Sequence, residues 1–274
     1  MSIAFHYLFC YTRFMKKDGK MLGVFGGMGP LASAMFMMEI ALSTDSKTAN
    51  DYLETIYRSK PLSPTQAILS SNPQDRQRVL EGMLEVIKNL EKDGADNIAI
   101  PCNTAMFWHA DMQKQTKVPI LNIVEETAKA VHDAKHKRTV ILATESTVKT
   151  KLYHHALGKY GIECIAPDQD IQAKVTDTIH DIKRDGKSNK QGFQNLLNTV
   201  ENRHDGHIIL GCTELSWFRQ SDMPIITRKG ITDSSQALAK VAIEKSGYKY
   251  VALKKLGTVF PHKANSGEII KATD

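Results

Sequence analysis

Apolar positions along the chain fall into short β-prone runs that alternate with segments of helical period, the pattern of an α/β protein with parallel strands. Met21-Leu-Gly-Val-Phe25 predicts a first strand, Gly26-Gly-Met-Gly-Pro30 the loop after it and Leu31–Glu39 a helix. Tyr52–Tyr57 predicts a second strand, and Pro61 and Pro64 mark an irregular loop. Asn72 and Pro73 open a long helix as N-cap and first residue. Val79, Met83, Val86, Ile87 and Leu90 give it one apolar face, and Gly94 ends it. Asn97–Pro101 and Val118–Leu121 read as strands and Val124–Ala134 as a helix. The pattern then restarts. Arg138–Ala143 is a strand, Thr144–Thr147 its loop and Val148–Tyr160 a helix. Strand Ile162–Ala166, helices at Ile171–Arg184 and Phe193–Glu201 and strand His207–Leu210 follow. Pro224–Thr227 and a helix from Thr232 to Lys245 are expected to pack back onto the first half.

Two strands end alike. Asn97-Ile-Ala-Ile-Pro-Cys102-Asn-Thr-Ala and His207-Ile-Ile-Leu-Gly-Cys212-Thr-Glu-Leu each deliver a cysteine, then small polar residues, then a potential helix start. The cysteines lie 110 residues apart. Val24 to Cys102 spans 78 residues and Ile141 to Cys212 spans 71, so the chain reads as a duplicated domain with one thiol in each half. The tip of a strand is where open α/β sheets bind ligands. The expected division is an N-terminal extension at 1–20, a first domain of 21–116 plus 225–246 carrying Cys102, a second of 117–224 carrying Cys212, and a tail at 247–274.

Charge narrows the function classes. The net charge is +6, but residues 1–20 hold +3 of it and residues 244–274 another +3. The middle is neutral, so no basic groove for nucleic acid is implied. No apolar run reaches the roughly 18 residues needed to span a membrane. Ser2–Phe14 lacks the basic start and cleavage site of a signal peptide. The four cysteines, Cys10, Cys102, Cys164 and Cys212, show no metal-ligand spacing, so no metal site is expected, and free thiols suit the cytoplasm. Cys164 reads as a small buried hydrophobe, as do the methionines and Phe36 of the first helix.

A thiol beside a helix N-terminus is expected to ionise below its free pKa of about 8.5. Two such thiols flanking one cleft could exchange the proton of a carbon acid. One thiolate takes it from one face and the opposite thiol returns one to the other, inverting the centre without a cofactor such as PLP. Hydrogen-bond donors must then meet the developing negative charge. Backbone N–H groups of the Gly26–Gly29 loop and of the helix starts are the candidates.

On Gly-Gly-Met-Gly-Pro (26–30), Pro-Cys-Asn-Thr-Ala (101–105) and Gly-Cys-Thr-Glu (211–214), the chain resembles the aspartate/glutamate racemase family over roughly Met21 to Ser246. The resemblance implies two flavodoxin-like domains related by a pseudo-twofold axis, a cleft between them and a homodimer. It implies Cys102 and Cys212 as the acid/base pair acting on a small amino acid. Asn103, Thr104 and Thr213 would bind its carboxylate or ammonium, and Lys183 would contact it. Met28, Gln66 and Thr147, in the loops after three strands, complete the expected substrate-binding set. Three departures bear on the substrate. Leu62-Ser-Pro64-Thr-Gln66 lacks the arginine with which family members grip a side-chain carboxylate, and Arg58 aligns poorly. Met106 replaces a common histidine, and Ser146 stands where glycine is usual. Aspartate as substrate therefore does not follow. The alternatives are a related carbon-acid isomerase of the hydantoin racemase or maleate isomerase type, and a non-catalytic amino-acid-binding protein of the same fold.

Overall fold

The computed structural model describes residues 19–186, 189–220, 227–228 and 230–252. Most of the expected extension and tail, and most of Pro224–Thr227, lie outside these residues. Among the described residues, eight parallel strands form two sheets of four. The first runs β2-β1-β3-β4, from β1 (Leu22–Gly26), β2 (Thr55–Ser59), β3 (Asn97–Ala99) and β4 (Ile120–Leu121). The second repeats the order as β6-β5-β7-β8, from β5 (Arg138–Leu142), β6 (Glu163–Ile165), β7 (His207–Leu210) and β8 (Ile231–Asp233). These are two flavodoxin-like sheets. In each the strand order reverses beside the central strand, so both sheets carry a switch point at the same place.

Helices cover both faces, which is why the strands read as near-continuous apolar runs. They are α1 (Pro30–Ser43), α2 (Pro64–Leu69), α3 (Pro73–Lys92), α4 (His109–Gln113), α5 (Ile123–Asp133), α6 (Glu145–Lys149), α7 (Leu152–Gly158), α8 (Gln169–Asp185), α9 (Lys190–Arg203), α10 (Ser216–Gln220) and α11 (Ser234–Lys245). Asn72 caps α3 by accepting from the Gln74 N–H, as its sequence predicts. The period-two alternation of the second sheet divides its residues between two cores. Ile141 and Ile209 join the core of the first half, while Val140, Leu142, Ile208 and Leu210 face α8 and α9. Helix α11 buries Leu238, Ala239, Ala242 and Ile243 in the first core, against α1 and α5.

The structure departs from the sequence reading at several elements. Pro64 opens α2 instead of breaking the chain, because proline is well suited to a first helical turn. The expected Thr144–Thr147 loop is the start of α6, capped by Thr144, and the helix expected through Tyr160 is interrupted at Lys151, where φ is +56°. The strand expected at Tyr52–Tyr57 is displaced to Thr55–Ser59, after a short 3-10 turn at Ala49–Asp51. Strand β4 lies beyond the expected divide at residue 116 yet pairs with β3. Strand β8, expected with the first half, pairs with β7 in the second sheet. Residues expected to begin a tail are bonded to the end of α1, through Asp45 N–H to Lys249 O and Val251 N–H to Ser43 O.

A buried ion network ties these parts together. Arg219 on α10 donates to both carboxylate oxygens of Glu39 on α1 at 2.6 Å and to Asp233 at the end of β8 at 2.7 Å. Asp233 also accepts from Ser216 Oγ and caps α11 through the Ser235 N–H. Glu39 and Asp233 are fully enclosed. Removing the cation takes the shared counter-charge from two enclosed carboxylates, so Arg219→Met is expected to cost about 3–5 kcal/mol in denaturant unfolding. A loss below about 1 kcal/mol would show that the network does not hold the halves together.

Candidate active site

The loops at the two switch points open into one cavity of about 280 Å³. The loop after β1 contributes Gly27, Met28 and Gly29, and the loop after β3 contributes Cys102, Asn103 and Thr104. The second sheet contributes Thr144 after β5, and Cys212, Thr213 and Glu214 after β7. Helix α8 adds Lys183, while Ser63, Thr65 and Gln66 around the start of α2 form the rim. Gly27 lies at φ +102°, and a Cβ there would strike the Lys60 backbone. A Cβ on Gly29 would lie 2.8 Å from Glu214 Oε1, so glycine lets this loop close over the carboxylate.

Both cysteines therefore reach the same space, as do Met28, Gln66, Asn103, Thr104, Lys183 and Thr213. Thr147 does not line it. This side chain is buried behind the wall, where its hydroxyl shares hydrogen bonds of 2.9 Å with Thr104 and Thr144. Asn103 is held from two sides, accepting from Tyr153 OH at 2.6 Å and donating to Ser234 Oγ at 3.0 Å. Thr213 Oγ1 donates to the Pro101 carbonyl at 3.0 Å, joining the two cysteine-bearing loops directly. Ser146 Oγ donates to Thr65 Oγ1 and anchors the rim to the second half. Arg58 pairs with Asp93 and is absent from the cavity wall.

Glu214 is the group that sequence reasoning passed over, although it stands two residues after Cys212 in a quoted motif. It is 2% exposed. Its Oε2 accepts the Cys212 thiol proton at 2.9 Å, and its Oε1 lies 3.4 Å from Lys183 Nζ without hydrogen-bond geometry. Cys212, Glu214 and Lys183 thus form a line of thiol, carboxylate and ammonium.

The expected acidic thiols are not found. Burial pushes the Cys102 thiol up to about 11, outweighing Lys183 and the N–H groups of Ala105 and Thr104, which lower it. Burial raises Cys212 well above its ordinary value and Glu214 raises it further, against Lys183. The segments after the cysteines begin as 3-10 turns at Thr104–Trp108 and Thr213–Leu215 and continue only into the five-residue helices α4 and α10, and what they lower does not match the cost of burial. Desolvation wins. Burial disfavours the Lys183 ammonium, but Glu214, and then Cys212 and Cys102, outweigh it and hold the lysine charged. Cys164 packs beside the first core with its thiol raised to about 12 by burial.

A family model described as Asp/Glu/Hydantoin racemase matches residues 25–242. Among curated proteins, the "Broad specificity amino-acid racemase RacX" of Bacillus subtilis (strain 168) is 32% identical over 239 residues, spanning 81% of this chain and 96% of its own. Among solved structures, the aspartate racemase of Picrophilus torridus has a TM-score of 0.72 and 28% identity, covering 85% of this chain and 96% of its own. A glutamate racemase from Francisella tularensis in complex with D-glutamate has a TM-score of 0.57 at 18% identity, over 84% of this chain and 81% of its own. At that identity the likeness concerns the fold alone.

The raised thiols predict a specific alkylation profile. With iodoacetamide on the ligand-free protein, read site by site by mass spectrometry, the Cys102 rate is expected to keep rising toward pH 11. A plateau near pH 8.5 would contradict the burial account. Glu214→Gln removes the negative charge that raises Cys212, so the Cys212 rate at pH 8 should increase about several-fold. Stability follows the same sign. The folded thiol ionises above the unfolded one, so its contribution is intact below about pH 8.5 and declines as the pH rises toward 11.

Proposed function

The chain belongs to the Asp/Glu/Hydantoin racemase family, and from that premise we propose that it is a cofactor-independent amino-acid racemase in which Cys102 and Cys212 are the opposed acid and base. One observation carries the reading. The two thiols sit after equivalent strands of two sheets of the same order and line one cavity. A thiolate on one side takes the Cα proton, leaving the electron pair delocalised into the substrate carboxylate. The thiol on the other side then donates its proton to the opposite face. The product is the mirror image, and the protonation states of the two cysteines are exchanged.

Burial suits this chemistry. A thiolate kept out of water is a stronger base than a solvated one, which narrows the gap to a weakly acidic Cα–H. Lys183 lowers the pKa of both sulfurs, so one ammonium supports the thiolate whichever side bears it. The same ammonium is balanced by Glu214 and is not an uncommitted anchor for a second substrate carboxylate. Neither arginine nor any other cation joins Lys183 on the described cavity wall. We therefore favour substrates whose side chains are not acidic. The broad specificity in the name of the Bacillus subtilis relative supports that preference. A homodimer rests on the family resemblance and is read by light scattering, while a cytoplasmic location rests on the free thiols.

The deciding measurement is Cα–H exchange in D2O, without added PLP, over a panel of L- and D-amino acids. Wild type is expected to exchange and invert at least one amino acid. Cys102→Ser and Cys212→Ser should each lose inversion by at least 10³-fold, consistent with removal of an acid/base group, with any remaining exchange confined to one enantiomer. Binding without exchange by wild type would favour the amino-acid-binding reading. Exchange of a hydantoin instead would favour the carbon-acid isomerase.

A further inference from the structure

A second cavity of about 250 Å³ adjoins the first. The two share Thr65, Gln66, Thr144 and Lys183 in their walls, so the second is a chamber directly beside the site, with the exposed Glu145, His180 and Leu69 at its outer side. Its lining passes from apolar to charged. Ile179 of α8 is buried and Leu69 of α2 contributes a second aliphatic surface. Thr176 adds a hydroxyl, and His180 and Glu145 complete the wall. Glu145 opens α6, and no cation among the described residues pairs with it. Every other carboxylate on either wall is accounted for, since Glu214 faces Lys183 and Cys212.

We propose that this chamber is the side-chain subsite and that it selects amino acids with a long, unbranched side chain ending in a cation. The inference rests on the racemase reading for the placement of Cα between the thiols. From there a side chain leaving past Thr65 and Thr144 runs along Leu69 and Ile179, which match a methylene stem. Its terminal ammonium or guanidinium meets the Glu145 carboxylate. A short side chain leaves the chamber to water and gains nothing from it. An acidic side chain brings its charge toward Glu145 and is disfavoured. Lys183 does not cancel this preference, because its ammonium is drawn toward Glu214 at the inner end of the wall.

The test compares lysine, ornithine, alanine and glutamate as substrates of wild type, Glu145→Gln and Glu145→Lys, with kcat/KM from Cα–H exchange. Calorimetric binding of lysine to the same proteins gives a readout that needs no turnover. Glu145→Gln is expected to lower the lysine-to-alanine ratio of kcat/KM about tenfold, the loss of one charge-assisted contact. Glu145→Lys should lower it further and raise the glutamate-to-alanine ratio. Lysine affinity should fall in parallel. Turnover of alanine with a lysine ratio untouched by either substitution would overturn the subsite and leave the racemase intact. Absence of exchange with every amino acid, with lysine binding still dependent on Glu145, would overturn the racemase and keep the subsite. Absence of exchange with lysine binding indifferent to Glu145 would overturn both.

Discussion

A parallel sheet whose strand order reverses must leave a crevice at the reversal, because the connections from neighbouring strands depart to opposite faces there. This chain makes that crevice twice and turns the two toward one space. The loops after β1 and β3 and those after β5 and β7 meet around a single cavity. The placement of both thiols follows from this constraint. Each needs only to lie two or three residues past the end of its strand. The ion network at Arg219 contributes by fastening α1, α10 and the end of β8 to one another.

The electrostatics of the cavity are economical in charge. Two thiols, one ammonium and one carboxylate share one cavity, with the thiols and the carboxylate buried and the Lys183 side chain half-buried. Burying a charge there without a partner would be costly, and the pairing of Lys183 with Glu214 avoids that cost. It also leaves little net field with which to attract an anionic side chain. The thiols rest neutral because desolvation outweighs every donor aimed at them. In the proposed mechanism the basicity of a thiolate would come from exclusion of water and not from a lowered pKa.

The fold was legible wherever a local rule determined the outcome. Asn72-Pro73 announced its helix through capping chemistry, and the apolar face from Val79 to Leu90 is the buried one. Strand His207–Leu210 was read from its apolar run alone. Pro64 was misread because proline both ends and begins helices, and only the burial of Ala67 and Ile68 decides between them. Ile231–Asp233 carries too few apolar residues to announce a strand and is one because β7 needs an edge partner. In the candidate site, the meeting of Cys102 and Cys212 at one cavity was legible from their repeated contexts. The role of Glu214 was not, because nothing in sequence brings Lys183 of α8 to its far oxygen. The direction of the thiol shifts was likewise a matter of enclosure, which no local motif encodes.

The hydrogen bond from Thr213 to the Pro101 carbonyl joins the residue after one cysteine to the residue before the other. It acts as a clasp. The two cysteine-bearing loops are tied to each other by a short bridge of backbone and one hydroxyl, beside both sulfurs. The walls of the side chamber, on α2, α6 and α8, contribute nothing to that bridge. In the racemase proposed above, variation there would retune which side chain is admitted without touching that bridge. A scaffold built this way separates the question of what it accepts from the question of what it does to it.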